Sequence, residues 1–335
     1  MRKWMLGLAF FTSQAVLAQT EGKPSFEDYV QSLKVEAIQQ GFTQTFVDDA
    51  FADVSFLQRS VKADKNQPEF KLTLDKYLST RVPEWKVQQA VKLYKEHQSV
   101  LEDIGKKFGV QPRFIVALWG NESNFGKIQG NFPMISALTT MAYDGRREDL
   151  FKKQLFAALK ILNEGHIEKE KFVGSWAGAM GQSQFMPTSF LSYAYDYDGD
   201  GKKDIWGNQA DVFASIANYL STVGWDASQT WGRQVKLPAG FDTSLTGLEK
   251  SKMRTLSEWQ KLGVRRYDGA DLPSRDLMAS MIMPDDAKGR IYLVYDNFHT
   301  LMNWNRSTYF GSAVCYLSDK IKAGIDDDSV SAPGQ

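Results

Sequence analysis

Three stretches of the 335-residue chain hold residue types whose spacing could do chemistry. The first is ALWGNESNFG at residues 117–126. On a helix, Ile115, Leu118, Trp119 and Glu122 share one face by the three-and-four spacing. A carboxylate then ends an apolar stripe, where loss of hydration raises its pKa and keeps it protonated nearer neutral pH. A general acid needs that property to protonate a leaving oxygen. A plainer reading stands beside it: a glutamate at a helix end, hydrogen-bonded to neighbours such as Asn121 or Ser123.

The second stretch, GSWAGAMGQSQFMPTSF, covers residues 174–190. Gly174, Gly178 and Gly181, with Ala177 and Ala179, permit a close approach to the backbone, either by tight internal packing or by a ligand lying along a groove wall. Gln184 offers an amide donor and acceptor suited to an acetamido group or a water, and Ser175 could act likewise. Pro187 suits the start of the next helix. GQSQF at 181–185 is not a nucleophile elbow, because Phe185 stands where the final glycine is required. His97, His166 and His299 lie in unrelated contexts, so neither a Ser-His-Asp triad nor a zinc motif has support.

The third stretch, DYDGDGKKD at 196–204, places side-chain oxygens at positions one, three, five and nine of an EF-hand-like loop: Asp196, Asp198, Asp200 and Asp204. Gly201 takes the sharp-turn position and the carbonyl of Lys202 would serve at position seven. Gly207 replaces the bidentate glutamate at position twelve, and Asp211, at the start of a helix, is the natural substitute in a longer loop. Alternating aspartates repel each other without a cation, so one structural Ca²⁺ is expected on these hard oxygen ligands. No organic cofactor is indicated.

The elements that must position these stretches read as mainly α with a small β insertion, an α+β chain. Helical patterns fill residues 26–108, then 114–124, 149–162 and 211–223, ended by glycines or prolines. Short β-rich runs at 234–237, 264–267 and 290–295 mark an insertion over 231–295, and 298–321 is helical again. The expected organisation is a signal peptide at 1–18, an N-terminal helical region at 19–100, a core at 101–230, the insertion, a helical return at 296–325 and a disordered tail at 326–335. Arg2 and Lys3 ahead of an apolar run, with small residues near Ala18, read as the export signal. With no cysteine near the cleavage point and only Cys315 in the chain, a soluble periplasmic protein without lipid anchor or disulfide is expected. Forty basic and forty acidic residues give no general preference for nucleic acid or anionic lipid.

Together these segments resemble the lytic murein transglycosylases of the B type, glycoside hydrolase family 103. The resemblance runs from about residue 67 to 317. It rests on GNESNFG, on GSWAGAMGQSQFMP, and on the Asp-rich loop ending at Ile205 and Trp206. It implies a lysozyme-like catalytic core and cleavage of the β-1,4 bond between N-acetylmuramic acid and N-acetylglucosamine in peptidoglycan, leaving a 1,6-anhydro ring. Carried over position by position, Glu122 would be the single catalytic acid and then base. Ser175 and Gln184 would hold the muramyl sugar. Tyr77, Tyr219, Trp304 and Phe310 would line the groove. Trp304 and Phe310 stand where the family more often has tyrosines, keeping the flat surface without the phenolic hydroxyl. The contrasting expectation is a catalytically silent, Ca²⁺-stabilised peptidoglycan-binding protein, which would not need Glu122.

Overall fold

A computed structural model describes residues 23–66 and 72–331, the side chains only as far as residue 326. The expected signal peptide and the last four residues lie outside the described residues. The chain opens with α1 (Phe26–Gln39), α2 (Gln44–Phe51), α3 (Gln58–Lys65), α4 (Leu74–Arg81), α5 (Glu84–Glu96), α6 (Gln98–Phe108) and α7 (Pro112–Ser123). Local chemistry sets these bounds. Ser25, Thr43 and Thr73 each accept a backbone N–H at the start of α1, α2 and α4. Pro112 opens α7, Gly109 closes α6 in the left-handed region, and Asn124 does the same for α7.

After β1 (Phe132–Pro133) come α8 (Met134–Asp144), α9 (Glu148–Asn163), β2 (Val173–Gly174), α10 (Pro187–Tyr193) and α11 (Gln209–Thr222). β1 and β2 form a small antiparallel pair. Ile115, Leu118 and Trp119 of α7 are buried together with every other residue from Phe114 to Gly120, so the helix runs through the core on all its faces and brings Glu122 to the core's edge.

The insertion contains β3 (Gly232–Lys236), β4 (Arg254–Thr255), α12 (Leu256–Lys261), β5 (Arg265–Arg266), β6 (Met278–Ile282), β7 (Pro284–Ala287) and β8 (Ile291–Val294). Five of these strands form one sheet in the order β4-β6-β8-β3-β5, with every neighbour antiparallel. Its side chains alternate between two cores. Ala279, Met281 and Leu293 pack with Leu256 and Trp259 of α12, while Ile282, Tyr292 and Val294 join the helical core. The sheet is therefore buried on both faces. This explains why β6, MASMI, with apolar residues facing both ways and a buried Ser280 between them, shows no clean alternation and gave no strand signal in the sequence.

The chain returns through α13 (Asp296–Trp304) and α14 (Thr308–Ser331). α14 packs along α7, α5 and α4. It also continues through residues 326–331, which the sequence reading placed in a disordered tail; no proline or glycine interrupts the run after Gly324 until Pro333. β7 ties the insertion to α4: Asp285 accepts the Leu74 N–H at 2.5 Å and the Tyr309 hydroxyl, and Arg290 pairs with Asp75 at 2.6 Å. Among the described residues no helix is long and apolar enough to cross a membrane.

Candidate active site

Glu122 sits one residue before the end of α7. The polar neighbours that would make it an ordinary capping residue are engaged elsewhere. Asn121 Nδ2 donates to the Ala117 carbonyl, and Ser123 Oγ donates to the Trp119 carbonyl and accepts from Gly126 N–H. Instead Glu122 Oε1 accepts the indole Nε1–H of Trp304 at 2.6 Å. The residue is half-buried. Burial pushes its pKa up to about 7, while the Trp304 bond and the charge of Arg81 favour the ionised form. A group so poised can give a proton near neutral pH and take one back.

Trp304, the last residue of α13, is held from two sides. Its ring lies 4.7 Å from that of Tyr219 and 5.3 Å from that of Phe185. The Tyr219 hydroxyl donates to the carbonyl of Asn303, next to Trp304, at 2.8 Å. Tyr219 is buried, and burial raises its pKa to about 12, so it serves here as the donor that fixes the end of α13. Tyr77 on α4 is half-buried, edge-on to Tyr309 at 5.5 Å and 5.8 Å from the guanidinium carbon of Arg81. Phe310 is half-buried against the helical core, its N–H donating to Ser307 Oγ. Trp304 thus meets Glu122 directly and Tyr219 holds Trp304, while Tyr77 packs on Tyr309 and Phe310 against the helical core.

The segment after β2 is a tight loop, with bridges pairing Gly174 to Met180 and Met180 to Phe185. Ser175 Oγ accepts the Ala179 N–H at 2.9 Å and so closes this loop. Gln184 takes a left-handed φ of 50° and its Nε2 donates to the carbonyls of Gly181 at 2.9 Å and Gln129 at 3.3 Å. A non-glycine residue in that conformation is a strained arrangement of the kind found at functional sites. In the chain it precedes Phe185, whose ring lies 5.3 Å from that of Trp304, the partner of Glu122.

Of the two readings of the glycine-rich run, internal packing is the one observed at the glycines. A Cβ at Gly174 would lie 2.4 Å from the Ala179 carbonyl oxygen. At Gly181, where φ is +63°, it would lie 2.7 Å from Ile205. The glycines let the loop fold onto its own protein, while Ala177 and Ala179 remain partly exposed. Sequence reasoning also passed over Gln182. This amide is buried, accepts the Trp119 Nε1–H at 2.7 Å and donates to the Trp206 carbonyl at 2.9 Å, locking the loop to α7. The usable signal was Trp119 itself, since a buried indole N–H needs an acceptor.

The acidic loop gathers a smaller set than its spacing suggested. Asp196, Asp198 and Asp211 each place an oxygen within 4.8 Å of the others. Asp211 is fully buried and accepts the N–H groups of Tyr197 and Asp204, both at 2.8 Å. Burial raises its pKa to about 6, and the charges of Asp198 and Asp196 add to the rise. Asp200 instead accepts its near neighbour's N–H, that of Lys202, and Asp204 accepts from Trp206 and Gly207. Asp200 and Asp204 place no oxygen within this three-carboxylate group, although the loop turns are closed alike on all of these side chains, Gly199 and Gly201 donating to Asp196 and the Asp200 N–H to Asp198.

The chain matches the family model described as Transglycosylase SLT domain over residues 25–319. It belongs to that family. It is 30% identical over 242 residues to the membrane-bound lytic murein transglycosylase B of Escherichia coli (strain K12), a stretch covering 70% of this chain and 63% of that relative. The match thus spans less than two thirds of that relative's length. Among solved structures, SltB3 from Pseudomonas aeruginosa in complex with NAG-NAM-pentapeptide is 42% identical with a TM-score of 0.86, covering 89% of this chain and 80% of that one. The same protein is known in complex with NAG-anhNAM-pentapeptide, with a TM-score of 0.85. The Escherichia coli lytic transglycosylase SLT35 in complex with calcium is 25% identical with a TM-score of 0.74, covering 88% and 93%. The chain shares the mainly α, lysozyme-like fold of these transglycosylases, with its small sheet inserted.

Proposed function

We propose that this chain is a lytic transglycosylase of peptidoglycan. It would cleave the β-1,4 bond between N-acetylmuramic acid and N-acetylglucosamine and leave a 1,6-anhydromuramic end. The observation that carries this reading is Glu122: a desolvated carboxyl with its pKa near 7, hydrogen-bonded to Trp304 at the edge of an aromatic cluster. Relatives named for this activity, one of them holding an anhydromuramyl ligand, support it.

A two-carboxylate hydrolase needs a second acid across the bond. The nearest sequence candidates are Asp144 and Glu148, and Glu148 accepts the Tyr29 hydroxyl at 2.8 Å against α1. Arg146 and Arg147 between them both pair with Asp64 of α3. That turn is a structural clasp between the N-terminal helices and α8–α9. In the mechanism proposed, Glu122 protonates the glycosidic oxygen while the substrate's own acetamido group stabilises the positive charge at the anomeric carbon. Glu122, now ionised and favoured by the Trp304 N–H and Arg81, takes the proton of the sugar's C6 hydroxyl as the anhydro ring closes. An intramolecular hydroxyl outcompetes water when the sugar is held in the right pucker.

Asp196, Asp198 and Asp211 would hold one Ca²⁺. Three converging oxygens, one of them on a carboxyl raised in pKa by burial and by its neighbours' charges, fit a hard divalent ion, and SLT35 is known with calcium. The ion would clamp the loop between α10 and α11 and take no part in the proton transfers. Read as an export signal, the basic residues and apolar run at the N-terminus would put the work in the periplasm. The test is digestion of purified sacculi followed by mass analysis: the muramyl product should be one water lighter than a hydrolysis product. An ordinary reducing end would reject the mechanism, and undiminished turnover by Glu122→Gln would reject the assignment of the acid.

A further inference from the structure

Three segments meet on one buried side chain that the mechanism leaves unused. Gln182, in the glycine-rich loop, is 3% exposed. Its Oε1 accepts the Trp119 Nε1–H at 2.7 Å, its Nε2 donates to the Trp206 carbonyl at 2.9 Å, and its backbone N–H donates to the Ile205 carbonyl at 2.8 Å. Trp119 stands one turn before Glu122 on α7, and Ile205 and Trp206 follow the acidic loop. One residue thus joins the helix of the proposed acid, the glycine-rich loop and the exit of the acidic loop. The turn after α7 is shaped around it. Gly126 has a left-handed φ of +79°, and a Cβ there would lie 2.3 Å from Gln182 Oε1. Gln129 adds a second strap, its Nε2 donating to the carbonyls of Gly126 at 3.1 Å and Trp206 at 3.2 Å. The Gln129 carbonyl in turn accepts Gln184 Nε2 at 3.3 Å. The network therefore starts on the helix that carries Glu122 and ends on Gln184, the residue that the family resemblance assigns to the muramyl sugar.

We propose that Gln182 is a positioning residue of the transglycosylase reaction: it fixes the loop that carries Gln184 against α7, and so sets the bound sugar against Glu122. The inference rests on the transglycosylase reading and deepens it. Gln182 acts through Trp119 on one side and the loop backbone on the other. A buried amide satisfied on both its oxygen and its nitrogen holds its neighbours rigidly. Ring closure depends on that rigidity, because the C6 hydroxyl outcompetes water only in one sugar pose, and a misplacement of about 1 Å can cost on the order of a hundredfold in rate. In a loosened site the glycosidic bond still breaks, but water adds at the anomeric carbon in place of the C6 hydroxyl and gives its proton to Glu122. The tie therefore governs which product forms as well as how fast.

The experiment digests soluble peptidoglycan strands with the full-length protein and reads the ratio of hydrolysed to anhydro muramyl ends by mass, with kcat alongside. Gln182→Met keeps the length of the side chain and removes its two hydrogen bonds. It should raise the hydrolysed share severalfold over wild type and lower kcat by about tenfold or more. The ratio is read within one digest, so a smaller folded fraction, which is all that a merely structural role would cause, cannot move it. Gln129→Met, at a partly exposed position, cuts the second strap alone and should shift the ratio the same way, by less. An unchanged ratio in Gln182→Met overturns the positioning role, whatever happens to the rate. Should that variant fail to fold, an unchanged ratio in Gln129→Met overturns it. Wild type that releases no anhydro ends would instead sink the transglycosylase reading, and this inference with it.

Discussion

Replacing Glu122 by Gln should stabilise the protein in a pH-dependent way. In the unfolded chain the carboxyl titrates near its ordinary value of 4.5, whereas in the folded protein burial lifts it to about 7. A raised carboxyl pKa means that the folded state holds its proton more tightly, so its contribution is complete below 4.5 and is lost as pH rises through 7. At about 1.4 kcal/mol per unit, linkage gives a wild-type loss of roughly 2 kcal/mol by pH 6 and roughly 3 kcal/mol by pH 8, against almost none at pH 4. The substituted amide would not titrate, and its side-chain oxygen can still accept the Trp304 N–H. The variant should therefore match wild type at pH 4 and exceed it by roughly 3 kcal/mol at pH 8. Urea unfolding at three pH values reads this directly, with no substrate. A constant difference across the range would refute the argument that Glu122 is desolvated in the folded protein. A variant less stable at pH 8 than wild type would refute it too.

Trp304→Phe keeps a ring against Tyr219 and Phe185 but removes the donor that favours ionised Glu122. The loss of a charge-assisted hydrogen bond should lift the alkaline limb of the pH–rate profile by about one unit or more, and a limb that stays or falls would count against the contact. Added Ca²⁺ should raise the melting temperature and a chelator should lower it, with Asp211→Asn abolishing the response; an identical response in that variant would remove Asp211 from the site. Gly181→Ala must place a methyl 2.7 Å from Ile205 at a φ of +63°. It should cost on the order of 1–3 kcal/mol in chemical unfolding, and a neutral result would mean that the loop has room to yield.

Local pattern was enough for much of the helical scaffold, because helix ends are written in side chains that cap or break them. The expected helix at 114–124 is α7, the one at 149–162 is α9, and the one at 211–223 is α11, each within a few residues. The stripe ending in Glu122 was equally plain, since three-and-four spacing needs no partner to be seen. The sequence also marked Asp196, Asp198 and Asp211, but could not say which oxygens converge. Asp200 and Asp204 carry the same side chain and fall outside the group only by their place in the folded loop. What tertiary structure alone decided is the company Glu122 keeps. Trp304 stands 182 positions away and meets the carboxyl only because α13 returns from the insertion and Tyr219 pins its end. The shift of that carboxyl toward neutrality follows from the same long-range closure, because desolvation depends on which distant groups exclude water and no local pattern encodes that.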